Sequence, residues 1–374
     1  MMQGSKPLYL RIMEDLQQQI KDGVYRDNDK LPTEIDLANQ YGVSRITSKR
    51  ALIELEKQGL VYRKRGSGSY VRNHEDTAGM VKASASFRTP IISMILPWSS
   101  TGRLDYIQGA NDYLDPRGYF LSIHISNWNV EKEKELLLKM YNSGHSGIIL
   151  YPSSSSHNIA TVNTLFMNDF PIVLIDQHYE GFPISNVVSD NKTGGYMAAD
   201  HLIRKGHTRI AFLTAIEVDL RSTIRERFIG YCSAHKDHRI PIQSDFIVSE
   251  VYKGIADEER IAKLTTLVEE LVEQNITAIQ AEHDDLAIDL LKACHHAGIS
   301  VPEQLSIVGF DNEENVGYAQ VPLTTVAQNY YEIGQNAASF IVDFIEKKNM
   351  DFRQKLIPVN LVERDSVKEL VEEE

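Results

Sequence analysis

The sequence predicts an α/β chain in two unlike parts: a small α+β domain of three helices and a hairpin, then a large unit of parallel sheets flanked by helices. Three observations carry this. Apolar residues at helical spacing run through the first part and end in a short basic segment with strand character. From Ile91 onward, short apolar strands alternate with helical stretches, as in a parallel sheet covered on both faces. Between them, NHEDTAGMVKASASFRT is polar, rich in small residues and without a period, and reads as a linker.

Leu8, Ile12, Leu16 and Ile20 recur every four residues and give one apolar helical stripe, with Pro7 near its start and Gly23 past its end. In LPTEIDLANQYG, Thr33 can cap a second helix with Asp36 three residues on; Leu37, Ala38 and Tyr41 form its inner face and Gly42 closes it. Ser44 caps a third helix whose expected core positions are Ile46, Ala51, Leu52 and Leu55, ending at Gly59. LVYRKRGSGSYV then reads as two strands, 60–63 and 69–72, around a glycine turn.

In the second part the strands are IISMILP, YFLSIHIS, GIILYP, PIVLID, RIAFLT, DFIVSE, AIQAE and LSIVGFD. Helices are expected near 103–117, 130–143, 158–169, 191–205, 223–236, 257–274 and 284–297. The length suits two sheets with a cleft better than one sheet. Ligands in such folds bind beyond the carboxyl ends of the strands. That rule points just past Pro97, Tyr151, Asp176, Thr214, Glu250, Ala281 and Phe310. Asp190 is expected to cap the helix at Asn191, and Gly194-Gly195 to permit close packing there. The expected division is a small domain at 1–73, a linker at 74–89, a large domain at 90–368, and an acidic end at 369–374. Within the large domain, one subdomain spans about 90–190 plus 327–353 and the other about 191–326 plus 354–368.

The formal charge is −13, but it is distributed unevenly. Residues 1–75 carry 13 Lys+Arg against 10 Asp+Glu, and 44–73 carry eight basic residues with only Glu54 and Glu56 acidic. A phosphate footprint needs such a local basic face, not a basic protein. No stretch of eighteen apolar residues exists, Met1–Leu10 lacks an apolar signal region, and Cys232 and Cys294 form no CxxC pair. A cytoplasmic location is expected. No GxSxG elbow, HExxH pair, zinc pattern or Walker loop is present, so neither catalysis nor a cofactor or metal is expected.

A helix, tight turn, second helix and basic hairpin place a helix N-terminus in the major groove and a wing beside it. Arg45 and Lys49 lie on one helix face, Thr47 and Ser48 are short donors, and Arg63, Lys64 and Arg65 precede Gly66-Ser67-Gly68. The pieces PLY, KLPTE, LAxxYGVSR, RALxxLxxxGL and GSGSYV resemble the gluconate-repressor (GntR) family winged helix. The resemblance implies DNA contact by Ser44, Arg45, Thr47, Lys49 and Arg50, with Arg65 and Gly66 at the wing tip; Thr33, Ser48, Lys64 and Ser67 complete the expected set. Ser48 and Lys49 depart from the usual TVR, and lysine reads guanine less specifically than arginine.

GGYMAADHLIRKGHTRIAFL, RERFIGY, VPEQLSIVGFD and VPLTTVAQNYYEIGQNAA resemble the lactose/galactose-repressor (LacI/GalR) effector domain, itself similar to periplasmic sugar-binding proteins. The pairing of the two resembles the arabinose-repressor family of bacilli. A sugar site needs charged or amide groups for hydroxyls and an aromatic face for the ring. The resemblance implies Arg227 and Asp311 as hydroxyl ligands, Arg221 as a second cation, His283 in place of a usual Asn, and Tyr252 as a stacking ring. Trp98, Ser99, Arg103 and Tyr106 would form the opposite wall, with Asp176 at the same edge. Bland alternatives stand beside them: Arg227 as a surface ion pair, Asp311 as a turn residue, His283 as a structural histidine, Tyr252 and Trp98 as core.

The expectation is a homodimeric repressor of sugar-utilisation genes that binds operator DNA and is released by a monosaccharide such as L-arabinose. The alternatives are a nucleobase or sugar-phosphate effector, an activator, and an enzyme with an appended DNA domain.

Overall fold

A four-residue apolar period builds the first helix, α1 (Leu8–Lys21), and buries Ile12 and Leu16. The computed structural model describes residues 8–26, 28–57, 60–64, 67–71, 90–98, 104–347 and 351–370. Pro7, Gly59, Arg65, Gly66, Ser99, Arg103, the linker 74–89 and residues 371–374 lie outside the described residues. The chain divides into two units, 1–88 and 89–374.

In the first unit, α2 (Glu34–Tyr41) starts at a capping box: Thr33 Oγ1 accepts the Asp36 amide, and the Asp36 carboxylate accepts the Thr33 amide. Gly42, at φ 64°, ends it in the left-handed region. Helix α3 (Arg45–Lys57) follows, then strands β1 (Val61–Lys64) and β2 (Gly68–Val71), antiparallel with Val61 opposite Val71. The core joins Ile12, Leu16, Leu31, Leu37, Ala51, Leu52, Leu55, Val61 and Val71. Ile46, expected in this core, is instead 80% exposed. The inner face of α3 is Ser48, Ala51, Leu52 and Leu55, spaced at three and four, and Ser48 is the fully buried member at its start.

Among the described residues, the second unit holds two six-stranded sheets. In the first, β3 (Ile91–Leu96), β4 (Phe120–Ile125), β5 (Gly147–Leu150), β6 (Ile172–Ile175), β7 (Asn186–Ser189) and β13 (Gln354–Ile357) lie in the order β13-β7-β6-β5-β3-β4, all parallel. The second holds β8 (Ile210–Leu213), β9 (Ile247–Val248), β10 (Ala278–Ala281), β11 (Ser306–Asp311), β12 (Thr324–Ala327) and β14 (Asn360–Val362) in the order β14-β12-β11-β10-β8-β9. Only β14 runs antiparallel there. Helices α4 (Asp105–Leu114), α5 (Val130–Asn142), α6 (Ile159–Met167) and α11 (Tyr330–Lys347) belong to the first sheet. Helices α7 (Asn191–Arg204), α8 (Ser222–Asp237), α9 (Arg260–Glu273) and α10 (Asp284–Ala297) belong to the second.

The chain crosses between subdomains after β7, after β12 and after β13. The last crossing corrects the expected boundary. Residues 354–357 extend the first sheet by pairing with β7, so the crossing falls at 358–359. Leu356 opposes Val188 and Ile357 opposes Ser189, so β7 is paired on both sides and β13 becomes the edge strand.

Candidate functional site

Between the two subdomains lies a cavity of about 470 Å³. The first subdomain contributes Trp98, Trp128, Tyr151 and Asp176, and the second contributes Arg221, Thr223, Ile224, Arg227, His283, Asp285, Asp311, Glu313, Glu314 and Asn315, with Gln328 from a crossing segment.

The position of Arg227 follows from its neighbours on α7. A Cβ on Gly195 would sit 2.1 Å from the Arg227 carbonyl oxygen, so the glycine lets α8 press directly on α7. The guanidinium is buried, and three contacts orient it. Nε donates to Asn191 Oδ1 at 2.9 Å, one terminal nitrogen to the Glu282 carbonyl, and the other to Asp311 Oδ1 at 3.3 Å. Its plane lies 3.6 Å from the Phe310 ring centroid. Asp311 also accepts from Gln328 Nε2 at 2.6 Å. Neither the surface ion pair nor the turn residue describes these two.

Backbone strain marks both carboxylates at the strand ends. Asp311 has φ 119° and Asp176 φ 63°, conformations that L-residues hold only when the surroundings compel them. Asp176 accepts from Tyr106 Oη at 3.0 Å. Tyr106 is therefore not part of the cavity wall; it is fully buried behind it, on α4, and props the carboxylate.

His283 is both structural and exposed to the cavity. It caps α10, with Nδ1 accepting the Leu286 amide at 3.0 Å. Its Nε2 faces Glu282 Oε1 at 3.3 Å. The next residue, Asp284, is fully buried; it accepts from Thr325 Oγ1 at 2.6 Å and from the Glu313 amide at 2.9 Å. Burial raises its pKa, and the Asp311 charge adds to this. These bonds tie the cavity's 311–315 wall to α10.

Trp98, Trp128 and Tyr151 form an aromatic wall. Trp98 meets Tyr151 edge-on at 4.4 Å and lies 5.9 Å from Trp128. The Arg221 guanidinium sits 4.3 Å over the Trp128 ring. Tyr252 does not join them. Past Glu250, which has φ 59°, Tyr252 packs half-buried against the core under α9 and α10, where its hydroxyl donates to Asp289 and Arg260 lies over its ring. That placement is a core role, not a stacking one.

Sequence reasoning missed Trp128, Thr223, Asp285, Glu313, Glu314 and Gln328. Trp128 follows the end of β4, and the strand-end rule reaches it once that strand is seen to stop at Ile125. The serine run also has a role: Ser155 Oγ accepts the Ser222 amide at 3.0 Å, and Ser222 Oγ accepts the His178 amide at 3.2 Å. Nearby, Arg225 pairs with Glu180 at 2.9 Å.

In the first unit, Arg45 is 69% exposed and pairs with Glu34 at 3.1 Å. Ser44, Lys49, Lys64 and Ser67 are exposed, and Thr47 is half-buried against Ser44. Arg50 is exposed with its guanidinium 4.0 Å over the Tyr9 ring. Thr33 is committed to its capping box. Ser48 is removed from the expected DNA-facing set: it is fully buried, and its hydroxyl donates to the Glu34 carbonyl at 2.6 Å, tying α3 to α2.

Residues 8–71 match the family described as bacterial regulatory proteins, gntR family, and 199–367 match the periplasmic binding protein-like domain. The chain is 32% identical over 379 residues to an arabinose metabolism transcriptional repressor of Geobacillus stearothermophilus, covering 99% of this chain and 100% of that one. A relative of the same description from Halalkalibacterium halodurans is 28% identical, covering 92% and 90%. Among solved structures, the transcription regulator CcpA of Lactococcus lactis aligns with TM-score 0.67 at 26% identity, covering 75% of this chain and 100% of that one. A LacI family regulator from Enterococcus faecium with bound ribose aligns with TM-score 0.63 at 26% identity, with the same coverage. The chain belongs to the family of transcriptional repressors that join a gntR-type DNA-binding domain to a periplasmic-binding-protein-like domain.

Proposed function

We propose that this protein is a sugar-responsive repressor whose effector is a neutral monosaccharide, L-arabinose first among the candidates, bound between the aromatic wall and the Arg227–Asp311 pair. The observation that carries this is the chemistry of the cavity. Trp98 and Trp128 offer flat apolar faces, while Arg227, Asp311, Asp176 and Gln328 converge as hydroxyl partners. The relatives' descriptions as arabinose metabolism repressors support the pentose.

Charge argues against the sugar-phosphate alternative. Asp176, Asp285, Asp311, Glu313 and Glu314 line the cavity against Arg221 and Arg227, and Arg227 is matched by Asp311. A phosphate would enter a site already rich in carboxylates.

In this reading the protein works in the cytoplasm as a homodimer on a pseudo-palindromic operator, and regulates without catalysis. The Thr33, Ser44, Arg45, Thr47, Lys49, Arg50, Lys64 and Ser67 surface, with Arg65 and Gly66, meets the DNA. The sugar stabilises one relative arrangement of the subdomains and lowers operator affinity, which requires unequal sugar affinity in the two states. The test is calorimetric titration with pentoses, hexoses and sugar phosphates, paired with gel shifts on DNA upstream of the protein's own gene. Micromolar to millimolar binding of an unphosphorylated pentose that releases DNA is expected. Binding of sugar phosphates alone, or no effect of any sugar on DNA affinity, overturns the reading.

A further inference from the structure

Ile46 lies outside the apolar core of the first unit, although it is a large apolar residue on a core-forming helix. At about 100° per residue, the buried Ser48, Ala51, Leu52 and Leu55 define one side of α3, and Ile46 falls on the opposite side, beside Lys49 and Arg50. It is 80% exposed in the helix's first turn. A β-branched residue there adds little to helix stability and leaves apolar surface in water. Lys49 and Arg50 lie exposed on either side of it along the helix, Arg50 with its guanidinium over the Tyr9 ring, and Arg45, one residue before it, is exposed and paired with Glu34. An apolar side chain flanked by basic residues does not suit a hydrophobic protein partner. It suits a major groove, where phosphates flank the only apolar group the base edges offer, the C5-methyl of thymine.

We propose that Ile46 reads a thymine methyl in each operator half-site and so discriminates thymine from cytosine at that base pair. The proposal rests on α3 being the helix that enters the groove. Charge then positions the protein through Arg45, Lys49 and Arg50, and Ile46 contributes sequence information without a hydrogen bond.

The experiment uses the full chain and a duplex selected by the wild-type protein from a random pool. Each thymine in turn is replaced by deoxyuridine, which lacks only the methyl. At one thymine per half-site the wild type is expected to lose about fourfold in affinity, the worth of one buried methyl-sized group. Ile46→Ala should bind the thymine and deoxyuridine duplexes equally at that position, and Ile46→Val should retain the preference. Ile46→Ser serves as a second variant; both polar and small replacements should melt with the wild type, since the side chain is 80% exposed. The proposal is overturned if the wild type is indifferent to deoxyuridine everywhere, or if Ile46→Ala keeps the same penalty. A wild type that enriches no duplex overturns the groove assignment of α3 as well, a result distinct from methyl indifference on a bound duplex.

Discussion

The Ser222 amide donates to Ser155 Oγ at 3.0 Å, joining the first turn of α8 in one subdomain to the loop after β5 in the other. The helix's orphan N–H thereby finds its partner across the cleft. The His178 amide returns a bond to Ser222 Oγ at 3.2 Å, and Arg225 pairs with Glu180 beside them. Burial raises Glu226 to about 7 and lowers His178, so the nearby His178–Glu226 contact adds little charge attraction at neutral pH.

Ser155→Ala removes this cross-cleft acceptor. One such bond is worth about 1 kcal/mol, so sugar affinity should weaken about fivefold with little change in melting temperature. Calorimetry with L-arabinose measures it; unchanged affinity would mean the serine bond does not favour the sugar-bound arrangement.

Asp311 and Arg227 are buried at 4% and 6% side-chain exposure, and each is the other's charge partner. Removing one leaves an uncompensated buried charge, at about 3–5 kcal/mol. Asp311→Ala should therefore abolish sugar binding and sharply lower the melting temperature. Adding Arg227→Met should recover part of the stability but none of the binding. Denaturation of the four proteins in the cycle decides it; purely additive losses would count against the pairing.

The chain's two tryptophans, Trp98 and Trp128, both line the cavity. Intrinsic emission should thus report sugar binding without a label. Trp128 is 40% exposed, so burying it under a sugar should shift its emission to the blue. Trp128→Phe should lose most of the shift, while Trp128→Ala should weaken affinity about tenfold through lost stacking. A saturating sugar that leaves the spectrum unchanged contradicts the aromatic wall as its seat.

His207 is fully buried, with Nδ1 facing Thr277 Oγ1 at 2.9 Å and Nε2 facing the Lys368 carbonyl at 3.2 Å. Burial lowers its pKa from 6.5 to about 4. Because the folded value is depressed, its contribution is full above pH 6.5 and is lost as pH falls toward about 4, to a limit of about 3 kcal/mol. Urea unfolding across pH 7 to 4 should show this slope in the wild type and a flatter one in His207→Gln.

Much of the fold is legible in local pattern. The strand and helix rhythm beyond Ile91 is an alternation of short apolar runs with amphipathic stretches, and each needs only neighbours in sequence to be read. Asp190 accepts the Thr193 amide at the start of α7, and Gly194 faces the Phe310 ring where a Cβ would approach to 2.6 Å, both as local chemistry implies. The face of α3 shows where that reading stops. Apolarity selects Ile46 for the core, yet Ser48 fills the inner position because its hydroxyl satisfies the Glu34 carbonyl on another helix.

The amino-acid sequence by itself determined most of the elements as far as Asp311, the two-part organisation and the residue types expected at strand ends. Tertiary structure alone decided that Tyr252 packs into the core away from the cavity, Tyr106 stands behind Asp176, Trp128 joins Trp98, and residues 354–357 extend the first sheet. The reason is physical. Secondary structure follows periodicities of a few residues, whereas the cavity is assembled by three chain crossings that bring residues as far apart as Trp98 and Gln328 to one surface.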